Sequence, residues 1–178
     1  MFETERLILR QFEEADVNSI AAMRADARFM RFIKAPEARR ETVSWMRMVS
    51  RYWETDNFGF WAVVLKETNE VIGWSGTWLL WETKEPEIGF AVTPAYWGKG
   101  LGTEAASFAL KYTFENRSAE TVIALTMPEN LASRRVMEKL GMHFDDEKYY
   151  GSYGLTLARY LITNKEYARN RKIIAPEI

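Results

Sequence analysis

Residues 92–103 read Val-Thr-Pro-Ala-Tyr-Trp-Gly-Lys-Gly-Leu-Gly-Thr, and this stretch decides how the chain is organised. An apolar segment, residues 87–91, enters it as a strand, and a helical pattern leaves it over residues 101–115. Glycine has no Cβ, so backbone N–H groups here can lie close to a ligand. The start of the helix adds unpaired N–H groups and about half a positive charge. Because the stretch contains no acidic side chain, it predicts a site for a phosphate or diphosphate.

The spacing of the glycines distinguishes this loop from other glycine-rich motifs. Glycines between a strand and a helix also serve as ordinary turn residues, so a simple turn is one alternative. A Walker A loop requires four residues between its first glycine and a Gly-Lys-Ser/Thr string, which the chain does not contain. The dinucleotide fingerprint Gly-x-Gly-x-x-Gly also fails, because residues 98–103 read Gly-Lys-Gly-Leu-Gly-Thr. The loop is therefore a different phosphate-binding loop or a turn alone.

Residues 97–102 resemble motif A of the GNAT superfamily of acyl-CoA N-acyltransferases, written Arg/Gln-x-x-Gly-x-Gly/Ala. Trp97 stands where arginine or glutamine is usual, but in that family the backbone amides hold the pyrophosphate. The string Trp-Gly-Lys-Gly with the following Thr-Glu-Ala, and the opening Glu-Arg-Leu-Ile-Leu-Arg at residues 5–10, look like the branch that includes the ribosomal-protein N-terminal alanine acetyltransferases. The resemblance implies acetyl-CoA as the acyl donor, held by Phe90, Ala91, Val92, Trp97, Gly98, Lys99, Gly100, Leu101, Gly102, Thr103, Asn130 and Ser133.

A second motif lies at residues 130–142, which read Asn-Leu-Ala-Ser-Arg-Arg-Val-Met-Glu-Lys-Leu-Gly-Met. Taken alone, Asn130 and Ser133 are typical of a helix N-cap, which is the structural interpretation. The resemblance assigns them more, because motif B of the family places an asparagine here against the coenzyme A arm. Two motifs in the right order indicate the family more specifically than either motif alone.

Acetyl transfer to an amine requires an acceptor for the amine proton and donors for the thioester oxygen and the departing sulfur. The chain has no cysteine, so we expect direct attack in a ternary complex without an acyl-enzyme. Ser133 is predicted to donate toward the leaving sulfur. The resemblance implies Glu87 as the general base, because family members also use a glutamate on this strand, with a solvated charge at a strand start as its alternative. Met137 stands where many family members have a tyrosine acid, and Leu125 where some have a glutamate base.

Other side chains have weaker assignments. The pKa of an unperturbed histidine suits a base, but His143 lies in a predicted strand, where a structural or exposed role is favoured. Arg134 and Arg135 either reach a phosphate of coenzyme A or face solvent. Trp74 and Trp78 share one face of a predicted strand, where they either pack in the core or form a wall of the acceptor pocket.

Composition excludes several classes of protein. The 178 residues include no cysteine and one histidine, which excludes disulfides, thiolate metal sites and multi-histidine metal sites. The net charge of −1 argues against nucleic-acid binding through bulk charge. No signal peptide and no membrane span is predicted, so we expect a cytoplasmic protein. We also expect that it binds no metal, acts on an amine and is a monomer or homodimer.

The predicted architecture is α+β, one domain over residues 1–178. The element order is β-α-α-β-β-β-α-β-α-β-β, with a mixed, mainly antiparallel seven-stranded sheet and about four helices. Strands 87–92 and 121–126 are predicted to be parallel, and the resemblance implies that they splay apart around the acyl-pantetheine. A hairpin over residues 143–163 and a tail with a loose end near Pro176 complete the chain.

This fold leaves three functional hypotheses. The first is an N-acetyltransferase that acts on a primary amine, either a protein N-terminus or a small molecule. The second is a non-catalytic acyl-CoA-binding module, which the residues Met137 and Leu125 allow. The third is a protein-interaction module without a nucleotide site.

Overall fold

The computed structural model describes residues 1–174, and the side chains of residues 1–170. The strands are β1 (Phe2–Glu3), β2 (Leu7–Arg10), β3 (Phe60–Leu65), β4 (Glu70–Leu79), β5 (Pro86–Val92), β6 (Thr121–Thr126), β7 (His143–Tyr150) and β8 (Leu155–Thr163). The α-helices are α1 (Val17–Ala25), α2 (Ala27–Met30), α3 (Arg39–Asp56), α4 (Leu101–Arg117), α5 (Leu131–Lys139) and α6 (Asn164–Ile174). The strands form one sheet in the order β1-β2-β3-β4-β5-β6-β8-β7, and every neighbouring pair is antiparallel except β5 with β6.

The α+β architecture and its mainly antiparallel sheet agree with the prediction, but the chain holds more elements than expected. The N-terminal β1 adds an eighth strand, since Phe2 pairs with Leu9 of β2. The single-turn helix α2 is an additional helix between β2 and β3, where two helices were predicted, and α6 occupies most of the predicted tail. Pro176, where a loose end was expected, lies outside the described residues.

The start of α6 carries a signal that sequence reasoning overlooked. The Thr163 hydroxyl donates to the Glu166 carboxylate at 2.7 Å, and the Glu166 N–H donates back to the Thr163 hydroxyl at 3.3 Å. This reciprocal pattern is close to a capping box, whose sequence form Thr-x-x-Glu is visible at residues 163–166. The helix then packs its Tyr167 ring on Phe114 of α4, with 4.7 Å between the ring centroids.

Helices cover both faces of the sheet. On one face α4 lies across β4, where the buried Ser75 hydroxyl donates to the carbonyl of Ala105 at 3.1 Å. On the other face the helices α1–α3 enclose a second apolar cluster, which includes Ile20, Phe29 and Trp74. Because both faces are covered, β3 and the middle of β4 are continuously buried instead of alternating between buried and exposed residues.

The sheet is split between β5 and β6. Among the described residues, these two strands share a single register pair, Glu87 with Ile123, near their N-terminal ends. Beyond that pair they diverge, as the family resemblance implies. The α1–α3 cluster lies on one side of the split, and a smaller cluster built on Ile123, Tyr150 and Leu157 lies on the other. A cavity opens between these clusters, and the loop of residues 97–103 lies at the C-terminal end of β5.

Residues 1–174 contain neither a membrane-spanning helix nor a cluster of metal-binding side chains. No helix in this range is long and apolar enough to cross a membrane. Within the same residues, no three His, Asp or Glu side chains gather as a group that could hold a metal ion.

Candidate active site

The glycines of the loop adopt backbone conformations that other residues reach at a cost. Gly98 has φ +75° and Gly100 has φ +80°, both in the left-handed region. Gly100 is the N-cap of α4 and supplies no side-chain cap. Within the described chain, the amides of residues 100–103 donate to no protein oxygen, as the first turn of an uncapped helix predicts. The loop therefore presents free N–H groups at a helix N-terminus.

Contacts around the loop hold it in place and balance its charge. The Trp97 indole N–H donates to the carbonyl of Val92 at 2.5 Å, which fixes the loop to the end of β5. The Val92 carbonyl, predicted to bind the cofactor, therefore already accepts a hydrogen bond from the protein. The Arg6 guanidinium donates to the carbonyl of Lys99 at 2.9 Å. Arg6 also pairs with Glu104 at 2.7 Å, so the carboxylate that follows the loop is neutralised. Sequence reasoning missed Arg6 as a neighbour of the loop, because 93 residues separate it from Lys99.

The second motif is a helix cap, as its structural interpretation predicted. The Asn130 side-chain oxygen accepts the N–H of Ser133 at 3.2 Å and so caps α5. The Ser133 hydroxyl has no hydrogen-bond partner among the described residues, and both side chains line the cavity. The cap and the predicted contact with coenzyme A are compatible, because capping uses the Asn130 oxygen and leaves its NH₂ group.

The cavity at the split has a volume of about 150 Å³. It is enclosed by the loop after α2, by β3, β4 and β5 on one side, and by β6, α5, β8 and the turn before β8 on the other. Its lining is mostly apolar, and the residues are Phe32, Ile33, Phe60, Trp74, Trp78, Glu87, Ile88, Gly89, Phe90, Ala91, Leu125, Thr126, Asn130, Ser133, Met137, Tyr153, Leu155 and Leu157. The predicted residues Ser133 and Glu87 therefore share one cavity, as do Trp74 and Trp78.

Glu87 is buried in this cavity, with 4% of its surface exposed. The alternative of a solvated charge at a strand start is therefore wrong. The hydroxyl of Tyr153 donates to both Glu87 carboxylate oxygens, at 2.9 and 2.8 Å. Burial raises the pKa of Glu87 from 4.5 to about 7, although hydrogen bonds from Tyr153 and Trp78 oppose this rise. A carboxyl group with this pKa is suited to exchange a proton near neutral pH.

Tyr153 is the main residue that sequence reasoning missed. It falls within the predicted hairpin of residues 143–163, and it lies in the turn between β7 and β8, since β8 begins at Leu155. Glu82 anchors this turn by accepting the Ser152 N–H at 2.7 Å and the Ser152 hydroxyl at 2.8 Å. Burial and the neighbouring Glu87 carboxylate raise the pKa of Tyr153 above its ordinary value of 10.0, so its hydroxyl remains a donor.

The other sequence candidates lie in less suitable places. His143 is exposed, lies 3.8 Å from the Glu166 carboxylate and is not among the residues that line the cavity. Arg135 is exposed, and Arg134 donates to the Tyr160 hydroxyl at 2.9 Å and to the Pro128 carbonyl. Met137 and Leu125 both line the cavity, so neither position supplies an acid or a base.

A split sheet with a free amide loop at its edge and a buried carboxylate in the gap is the arrangement of an acyl-CoA-dependent transferase. The chain belongs to the GNAT acetyltransferase family, whose domain model matches residues 6–143. It is 32% identical to the uncharacterized N-acetyltransferase YnaD of Bacillus subtilis, over 78% of this chain and 80% of that protein. These relationships identify an acetyl-CoA-dependent acetyltransferase.

Solved structures agree with this assignment. The GNAT-family acetyltransferase of Bacillus anthracis superposes with a TM-score of 0.77 at 27% identity, covering 92% of this chain and 98% of that one. Two more distant structures share the fold alone. They are the ribosomal-protein-S5-alanine acetyltransferase of Vibrio fischeri (17% identity, TM-score 0.76, 93% and 97% covered) and the spermidine N-acetyltransferase of Vibrio cholerae in complex with CoA and spermine (16%, 0.75, 93% and 99%). The predicted alanine branch is thus one of several structural neighbours.

Proposed function

We propose that this enzyme transfers the acetyl group of acetyl-CoA to a primary amine by direct attack in a ternary complex, in the cytoplasm. The observation that carries the proposal is the position of Glu87, a buried carboxyl group with a pKa near neutrality, in the same cavity as Ser133 and the edge of β5. Resemblance to the N-terminal alanine branch and the fold of the spermidine enzyme both support an amine acceptor. They leave open whether it is a protein N-terminus or a small molecule.

The donor is held chiefly by backbone groups. The free amides of residues 100–103 and the partial positive charge of α4 suit a pyrophosphate, with Lys99 and Arg6 as nearby cations. Phe90, Ala91 and Asn130 line the cavity between the loop and Glu87, where they suit the pantetheine arm. Recognition by backbone groups does not require an arginine or glutamine at the position of Trp97.

The chemistry requires one proton acceptor and donors for developing charge. Glu87 accepts the proton of the attacking amine, whose nitrogen forms a bond to the acetyl carbon. The carbon–sulfur bond then breaks, and Ser133, whose hydroxyl is not engaged by the protein, donates toward the departing thiolate. Tyr153 is a positioning residue, because its hydroxyl fixes the Glu87 carboxylate and stabilises its ionised form.

The test is a panel of primary amines incubated with the purified full chain and acetyl-CoA, followed by release of free thiol. We expect release that depends on both enzyme and amine, and a rise in melting temperature when coenzyme A binds. Stabilisation by coenzyme A without release from any amine would instead support a binding module. If neither is observed, the remaining hypothesis is a protein-interaction module.

A further inference from the structure

The lining of the cavity carries almost no charge, and this restricts the acceptor. Glu87 is the one acidic side chain among the described lining residues, which include no lysine, arginine or histidine. The polar side chains nearest the donor, Thr126, Asn130 and Ser133, are uncharged. Because an unpaired charge in an apolar site is costly, the cavity suits an acceptor with one ammonium group and no carboxylate or phosphate beside it.

Charged groups behind the lining are already paired. Arg24 is buried beside Trp74, with 5.6 Å between its guanidinium carbon and the ring centroid, and it forms an ion pair with Glu37. Arg159, which is also buried, pairs with Glu85 at 2.8 Å. Neither arginine lines the cavity, so neither offers a partner to an acidic acceptor.

One side of the cavity is an aromatic wall formed by Phe60, Trp74, Trp78 and Tyr153. The rings of Phe60 and Trp78 meet edge to face at 4.9 Å, and Trp78 lies 6.4 Å from Tyr153. Trp74 is held from behind by Phe29, at 4.9 Å between centroids. Rings fixed in this way offer a preorganised surface for a flat or branched apolar body.

We propose that the acceptor is a primary monoamine whose nitrogen is carried on an aromatic or branched apolar body. Its amine faces Glu87 and its body packs on the aromatic wall, opposite Leu125, Leu155 and Leu157. A polyamine would bring a second ammonium group, for which the lining has no second carboxylate. A peptide N-terminus would bring a peptide group against these apolar side chains, where its N–H and C=O need partners. This inference depends on the proposed function.

The experiment compares kcat/KM for four acceptors: 2-phenylethylamine, L-phenylalanine, spermidine and the dipeptide phenylalanyl-alanine amide. Phenylalanine adds a carboxylate beside the amine, and spermidine adds further ammonium groups. The dipeptide keeps the phenyl ring and adds a peptide group. We expect 2-phenylethylamine to exceed each of the others by about 30-fold or more, because only it leaves no charge or peptide group unpaired. Robust thiol release with spermidine, phenylalanine or the dipeptide at equal or higher kcat/KM overturns the inference but leaves the proposed function intact. Release with none of a broad amine panel removes the proposed function itself.

Variants of the aromatic wall provide an independent readout. Trp78→Ala is expected to raise KM for 2-phenylethylamine about tenfold while leaving the Kd for coenzyme A unchanged, whereas Trp78→Phe retains most of the binding. The matched control is Trp81→Ala, because Trp81 is 75% exposed and lies outside the cavity. Equal KM values in Trp78→Ala and the wild-type enzyme contradict the inference. The ranking of acceptors on the wild-type enzyme tests it even if a variant fails to fold.

Discussion

The two halves of the site are built in different ways. The loop of residues 97–103 is one continuous segment, proposed to act through backbone amides, and its shape depends mainly on φ values and helix geometry, with a distant contact from Arg6 to Lys99. The cavity around Glu87 collects side chains from residues 32–33, 60, 74–78 and 153–157, which meet only after the sheet and its helices have formed. On the proposed function, recognition of the donor is thus largely local in sequence, while recognition of the acceptor depends on tertiary structure.

Among changes that affect the cavity but not the loop, Glu87→Gln is expected to have the largest effect on activity. Glutamine keeps the size of the side chain and an acceptor for the Tyr153 hydroxyl, but it cannot take the amine proton. We expect kcat/KM for the amine to fall about 100- to 1,000-fold, with the Kd for coenzyme A unchanged. Steady-state kinetics and calorimetric titration on the same preparation measure both values. A loss of activity below threefold would remove Glu87 from the role of base.

The complementary change is Gly100→Ala, which perturbs only the loop. A residue with a Cβ adopts φ +80° at a cost of about 1–2 kcal/mol, so the free loop relaxes and coenzyme A must restore it on binding. We therefore expect the Kd for coenzyme A to rise about 5- to 30-fold. Gly154→Ala is the control, because Gly154 has a similar φ of +66° and no neighbour within 4 Å of an added Cβ, but it lies outside the loop. Equal Kd values for the two variants would contradict a loop that acts through its backbone.

The loop and the cavity also differ in how much of each could be predicted from the sequence. The glycine loop, the order of most elements and the parallel pair at the centre of the sheet were predictable, because each is written in a short segment or its spacing. Glu87 as base came from the family resemblance, but its burial came from the structure. Tyr153 could not be predicted as its partner, since the two residues are 66 positions apart and meet through a turn held by Glu82.

A smaller effect is expected from Tyr153→Phe, which removes the hydroxyl whose one proton lies between the two Glu87 carboxylate oxygens and favours the charged form of Glu87. The pKa of Glu87 then rises further above 7, so activity at pH 7 falls several-fold and is regained at higher pH. The pH profile distinguishes this from simple structural damage, which lowers activity at every pH. Tyr149→Phe is the control, because Tyr149 is 67% exposed and outside the cavity. An unchanged pH profile in Tyr153→Phe would show that Tyr153 does not act through Glu87.

The smallest effect is expected from Ser133→Ala. A neutral hydroxyl that donates toward the departing sulfur contributes about 0.5–1.5 kcal/mol, so kcat should fall about 2- to 10-fold with the Kd for coenzyme A nearly constant. The Asn130 side chain still accepts the backbone N–H of residue 133, so the cap of α5 is preserved. Ser107→Ala, an exposed change on α4, is the control. A larger rise in Kd than fall in kcat would assign Ser133 to binding of the donor alone.

The most direct test of the account is the pH dependence of kcat/KM for 2-phenylethylamine between pH 5.5 and 9, as approximate limits chosen around the expected pKa of Glu87. Glu87 must be ionised to accept a proton, and burial raises its pKa to about 7, so activity rises more steeply with pH below pH 7 than above it, where only the amine is still losing its proton. The slope of log kcat/KM against pH should therefore fall by about one near pH 7, because the amine itself titrates near pH 10. The account predicts this break in the wild-type enzyme and its loss in Glu87→Gln. A wild-type profile without a break between pH 6 and 8, or the same break in both proteins, would contradict it.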